Sequence, residues 1–196
     1  GDVYKRQDYA GAAAIKILNF FEEYYGIDYP GSKLDLIAVP DFAMGAMENV
    51  GAVTFRETLL LIDVEKATRS ELSRSISVIA HELAHMWFGD LVTMDWWDGI
   101  WLNEAFASLM EVIASEATYP EFKLWNEMNQ DRSRGFGVDS LKSSRPVEFE
   151  VKSPEEAEEM FDVLTYQKGS TVLRMFETFI GEENFKKGVR SYLNKY

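Results

Sequence analysis

The sequence predicts an α+β fold, a small N-terminal sheet followed by a mainly helical lobe. Three observations predict it. Runs rich in β-forming residues, LDLIAV at 34–39, AVTF at 52–55 and TLLLI at 58–62, are confined to the first third of the chain. From residue 69 onward apolar residues recur at helical spacing between cap signals. No internal repeat, linker or low-complexity tract divides the 196 residues, so 8–196 reads as a single domain or a large piece of one. Its sheet-bearing part is 8–68 and its helical part 69–196.

Taken in order, the chain opens GDVYKRQ without an initiator Met, which reads as a truncated start or a tag remnant, so 1–7 are set apart from the fold. A helix is expected over 8–25, with Ala12, Ile15, Leu18, Phe20 and Phe21 on its apolar face and Gly26 ending it. Tyr29-Pro30-Gly31 is a turn. Strands follow over 34–39, 52–55 and 58–62; between them, 41–49 is too rich in small residues for a helix or a strand interior. Thr68-Arg69-Ser70-Glu71 matches a capping box and starts a long helix over 69–88, with Gly89 able to end it. A tryptophan-rich connection, 91–99, leads to a return helix over 102–117 and a further segment from Pro120 to Arg132. The stretch 135–152 reads as a polar loop. Ser153-Pro154-Glu155-Glu156 is a second capping box with Pro at the first helical position. Helical stretches then reach 164, 166–180 and 182–196, with Gly181 as punctuation.

An apolar fraction of 46% and an aromatic fraction of 14% suffice for a packed core. A formal charge of −13 argues against nucleic acid or an anionic membrane as the main partner. Cysteine is absent, so there is no disulfide framework or thiolate metal site, and any zinc must use histidine and carboxylate. No apolar run approaches the ~20 residues of a transmembrane helix and no export signal is apparent. With the missing cysteines, this makes the cytoplasm the expected location.

The stretch VIAHELAHMWFGD, 78–90, holds the chain's only two histidines, His81 and His85, in the pattern H-E-x-x-H with Glu82 between them. Four residues apart on a helix, both imidazoles point the same way and can grip one ion, while Glu82 can reach a water without being a ligand. Ile76, Val78, Ile79, Leu83, Ala84, Trp87 and Phe88 mark the helix as buried. A histidine pair on an apolar helix is also a common packing device. Glu104 tips the reading: it lies 19 residues beyond His85, in IWLNEAFASLMEV, far enough for a loop and a return helix to deliver a third ligand. Three ligands with an open position is the catalytic zinc arrangement, and Glu82 would then act as general base. Glu111, two turns after Glu104, can orient a ligand imidazole or simply be solvated. Gly45-Ala46-Met47-Glu48-Asn49 can let a peptide backbone lie close, with Glu48 beside a free α-ammonium; a solvated turn is the simpler alternative. Tyr166, in LTYQKGS, can donate to an oxyanion or simply pack. Trp87, Trp96, Trp97 and Trp101 read as core aromatics.

GAMEN at 45–49, HELAHMWFGDLVTMDWW at 81–97, WLNEAFAS at 101–108 and YQKG at 166–169 together resemble the aminopeptidase N-like family of zinc metallopeptidases, the gluzincins with an exopeptidase motif, from about Asp8 to the end. The resemblance implies a thermolysin-like catalytic domain that removes N-terminal residues from peptides with a free amino end. It also implies one Zn2+ held by His81, His85 and Glu104, with Glu82 as base. Glu48 would bind the amine, the Gly45–Ala46 backbone would line the substrate strand, Met44 would line the first side-chain pocket, and Tyr166 would stabilise the transition state. The family often has Trp where Val50 stands, Gln where Met86 stands, Asn where Asp90 stands and Gly where Ala105 stands; none of these is a ligand or acid–base group. N- and C-terminal domains of the full-length family members are expected to be missing from so short a chain. Two alternatives stay open: a non-catalytic zinc-binding fragment or scaffold of the same fold, and the family's bifunctional epoxide hydrolase branch. That branch typically carries Gly-Gly-Met-Glu-Asn, so Ala46 favours the peptidases.

Overall fold

The computed structural model describes residues 2–196. Helix α1 spans Asp2–Tyr25, so residues 2–7, set apart in the sequence reading, continue the helix. Its buried stripe is Ala10, Ala13, Ala14, Ile17, Phe21, Tyr24 and Tyr25. The expected face through Ala12 and Ile15 is instead turned outward, with Ile15 66% exposed. Alanines at 10, 13 and 14 let α1 approach its neighbour closely, which branched Ile15 would not. Phe21 and Tyr25 stack with ring centroids 5.4 Å apart, and both lie against Trp87.

Three strands follow: β1 (Asp35–Val39), β2 (Ala46–Met47) and β3 (Ala52–Arg56). Their order is β1-β3-β2, with β1 parallel and β2 antiparallel to β3, which leaves β2 on an edge. Val53 and Phe55 of the central strand are fully buried. The strand expected over 58–62 is a correction: Glu57–Leu60 forms a short helix, α2. A short apolar run has no period to choose between helix and strand. Here Leu60 is buried and the Leu59 carbonyl accepts the Ser75 hydroxyl at 2.6 Å.

Helix α3 (Arg69–His85) begins at a complete capping box: the Thr68 hydroxyl accepts the Glu71 N–H, and the Glu71 carboxylate accepts the Thr68 N–H at 2.7 Å. Helix α4 (Ile100–Thr118) returns along it, entered through a 3-10 turn at Trp97–Gly99. Helix α5 (Leu124–Asp139) takes in the start of the expected loop, so only 140–153 is irregular. At α6 (Pro154–Glu158) the second box is half-closed: Ser153 accepts the Glu156 N–H, but the Glu156 carboxylate goes to the Lys152 N–H. A π-helical turn, Leu164–Lys168, runs into α7 (Gly169–Ile180), and α8 (Glu182–Leu193) closes the fold. The Arg190 guanidinium donates to the Tyr24 carbonyl at 2.8 Å, tying the last helix to the first. Of the tryptophans, Trp87 is core, whereas Trp96 is 47% exposed and donates to the Val151 carbonyl, contrary to the expectation of four core rings.

The α+β class therefore holds, with the core between α1, the sheet, α3 and α4. Among the described residues, no helix is long and apolar enough to cross a membrane.

Candidate active site

Helix α3 presents His81 and His85 one turn apart, and α4 brings Glu104 against them. The His81 and His85 Nε2 atoms are 3.1 Å apart, and Glu104 Oε2 lies 3.2 Å from the first and 3.4 Å from the second. His85 and Glu104 are buried. Both rings are held from behind. His81 Nδ1 is 2.8 Å from Glu111 Oε2, and the same carboxylate accepts the Ser77 hydroxyl. His85 Nδ1 is 2.9 Å from the Phe88 carbonyl and 3.1 Å from Asn103 Oδ1. All of these partners are acceptors, so each Nδ1 carries a proton and each Nε2 is the ring nitrogen left to face Glu104.

That convergence fits a cation. For ligand distances of about 2.0–2.1 Å around a tetrahedral ion, neighbouring donor atoms stand about 3.3–3.4 Å apart. The observed separations of 3.1, 3.2 and 3.4 Å lie at or slightly inside that spacing, and this is the one such group of His and acidic side chains among the described residues. Without a cation, protons must fill the demand. Burial pushes both imidazoles toward neutrality, but the hydrogen bonds and charge of Glu104, joined at His81 by Glu111, outweigh it. His81 is raised well above its ordinary value and His85 to about 9. Burial likewise opposes ionisation of Glu104, yet the two histidines hold its carboxyl well below the usual carboxylate range.

Glu82 lies between the two histidines in sequence and is buried; that burial pushes its carboxyl up to about 7, with the two histidines pulling the other way. A cavity of about 350 Å³ joins Glu82 and His81 to Tyr166, to Met44, Gly45 and Ala46, and to Glu111. Tyr166 sits in the π-helical turn with its ring centroid 6.0 Å from that of His81. Burial first, then the charge of Glu104, holds its phenol firmly protonated. The Gly45 carbonyl accepts the Arg56 N–H at 2.9 Å, so the antiparallel alternation turns the backbone of Ala46 to the open side of β2. Glu48 follows β2, and its charge raises the carboxyls of Glu82 and of Asp90, the latter to about 7 after burial. Met47, Glu48 and Asn49 do not line the cavity. Asn49 is exposed, with its carbonyl closing a turn to the Ala52 N–H and its amide 3.5 Å from the Thr54 hydroxyl.

Sequence reasoning missed Asn103, the Phe88 carbonyl and Ser77. The Asn103 contact depends on Gly89, whose φ is +128° and where a Cβ would stand 2.7 Å from Asn103 Oδ1. A glycine just past the second histidine was the available signal, and it was read only as a helix stop.

The description "Peptidase family M1 domain" matches residues 9–196. The chain is 49% identical over 195 residues to endoplasmic reticulum aminopeptidase 2 of Homo sapiens, covering 100% of this chain and 20% of that protein. It is 50% identical over 184 residues to probable aminopeptidase 2 of Sulfurisphaera tokodaii, covering 93% and 23%. It is 47% identical over 189 residues to the alanine/arginine aminopeptidase of Saccharomyces cerevisiae, covering 96% and 22%. The chain thus spans about one-fifth of the length of the curated relatives it matches.

Proposed function

We propose, from the premise that this chain belongs to peptidase family M1, that it carries the catalytic centre of a zinc-dependent aminopeptidase. Its substrates would be peptides with a free N-terminus, and its product the released first residue. One observation carries the reading: two imidazole Nε2 atoms and a buried carboxylate converge on one point, with each Nδ1 held by an acceptor behind it. His81, His85 and Glu104 would hold the ion, which when bound supplies Lewis acidity toward a peptide carbonyl and a water. Glu82, buried beside the two histidines, takes a proton from the attacking water and returns it to the departing amine. Tyr166, kept protonated, donates its O–H to the oxygen that gains charge as the carbonyl is attacked. An extended peptide pairs with the outward backbone of Ala46, Met44 flanks its first side chain, and Glu48 attracts its ammonium. Domains beyond the one-fifth covered here would complete the substrate pocket of the whole protein.

The test is zinc content together with aminoacyl-nitroanilide hydrolysis for the wild type and Glu82→Gln. Both proteins should bind one zinc, and the variant should lose several orders of magnitude in kcat. Equal activity would remove Glu82 from its role. Zinc without turnover in either protein would favour a metal-binding piece that is silent by itself, a second reading motivated by the small share of the relatives that the chain spans.

A further inference from the structure

Tyr166 stands on an unusual support. It lies mid-way along a five-residue π-helical turn, a rare form that occurs mostly as single turns, and side chains from outside the turn brace it. The bracing comes from two side chains outside the reaction. Asp162 Oδ1 accepts the N–H groups of Leu164 and Thr165, each at 3.0 Å, and the Asp162 carbonyl accepts the Tyr166 N–H at 3.1 Å. Arg145, on the irregular segment 140–153, donates from one nitrogen to Asp162 Oδ1 at 2.7 Å and to the Thr165 hydroxyl at 3.0 Å. Thr165 is fully buried and the Arg145 side chain is 14% exposed, while the Asp162 side chain is 39% exposed, so the cluster is closed on its Thr165 side and open to water on its Asp162 side. A second strap follows Tyr166: Lys168 Nζ donates to Asp139 Oδ1 at 2.6 Å and to the Arg145 carbonyl at 3.2 Å.

We propose that Arg145, acting through Asp162 and Thr165, is a positioning residue that fixes the Tyr166 phenol over the metal-ligand cluster, and that the segment 140–153 is the strap that carries it. The inference rests on the role assigned to Tyr166 above. Its chemistry is specific. One nitrogen of a planar, rigid guanidinium holds both acceptors in a fixed geometry, whereas the flexible ammonium of a lysine at 145 would hold them less rigidly. Loss of the charge leaves the turn free to relax, and a phenol displaced by an ångström donates poorly to a developing oxyanion.

The experiment compares Arg145→Ala, Arg145→Lys, Asp162→Asn and Tyr166→Phe in the zinc-loaded protein. A parallel fluorine NMR measurement uses fluorotyrosine at position 166 in the metal-free protein. Arg145→Ala should lower kcat about 10–100-fold with KM and zinc content little changed. Arg145→Lys should recover part of that loss. Asp162→Asn, which keeps an acceptor for the Leu164 and Thr165 N–H groups but discards the charge, should show a smaller drop; it also decides the matter if Arg145→Ala does not fold. The fluorine signal should shift in the Arg145 and Asp162 variants, and Arg145→Ala should cost nothing further on a Tyr166→Phe background. An unshifted signal with wild-type kcat in Arg145→Ala and Asp162→Asn, while Tyr166→Phe is impaired, overturns the inference and leaves Tyr166 in place. Full additivity with Tyr166→Phe overturns it too, by making Arg145 a stabilising residue only. Wild-type kcat in Tyr166→Phe overturns the role of Tyr166, and this inference falls with it.

Discussion

Glu111 shows how much of the centre is decided one atom behind the ligands. Its carboxylate holds His81 Nδ1 at 2.8 Å and so dictates which ring nitrogen faces His85 and Glu104. Glu111→Gln can turn either its oxygen or its amide toward that nitrogen and removes the negative charge. Zinc affinity should fall about 10–100-fold while one ion still binds, as read by competition against a chelator. At this scale the sequence was informative where chemistry follows helical spacing. His81, Glu82 and His85 follow from their intervals, Glu104 from the return helix, and Glu111 as a candidate from its two-turn offset. Asn103 was not legible, because its contact with His85 exists only where the chain turns sharply at Gly89.

The short elements carry the precision of the site. Gly169 opens α7 so close to α4 that a Cβ there would stand 2.6 Å from the Ala105 Cβ. Gly169→Ala should therefore push the π-helical turn outward, lower kcat and lower the melting temperature. Ala105→Gly should restore both in the double variant, an outcome checked by calorimetric melts and kinetics on the same preparations. Cap chemistry was readable at Thr68 because one side chain and one backbone group answer each other over three residues. The run Thr58-Leu59-Leu60 was not, since its helical state is decided by the Ser75 hydroxyl and the α3 surface rather than by local pattern. The face of α1 was misread for a related reason: apolar side chains cover two adjoining stripes, and only packing against Trp87 selects one.

Across the whole molecule, the cluster of His81, His85 and Glu104 links stability to pH. With no cation bound, the Glu104 hydrogen bond and charge prevail over burial and lift His85 to about 9, above its ordinary value of 6.5. A histidine raised in the folded state stabilises the fold fully below its unfolded value and loses that contribution as pH climbs through the folded one. The metal-free protein should accordingly melt at progressively lower temperature from about pH 6.5 to 9. A zinc-loaded sample should show a weaker slope over the same window, and identical slopes would contradict the assignment. Long-range packing also set features that no local pattern revealed. On α7, Glu177 is buried beside Arg174 while Met175, Phe176 and Phe179 face outward. The edge strand β2 has one more consequence. Only two residues long and followed at once by acidic Glu48, it offers an arriving chain a very short track. On the proposed reading, a guest whose charged head meets that carboxylate would lay down little more than its first link, and the platform itself would meter the cut to one residue at a time.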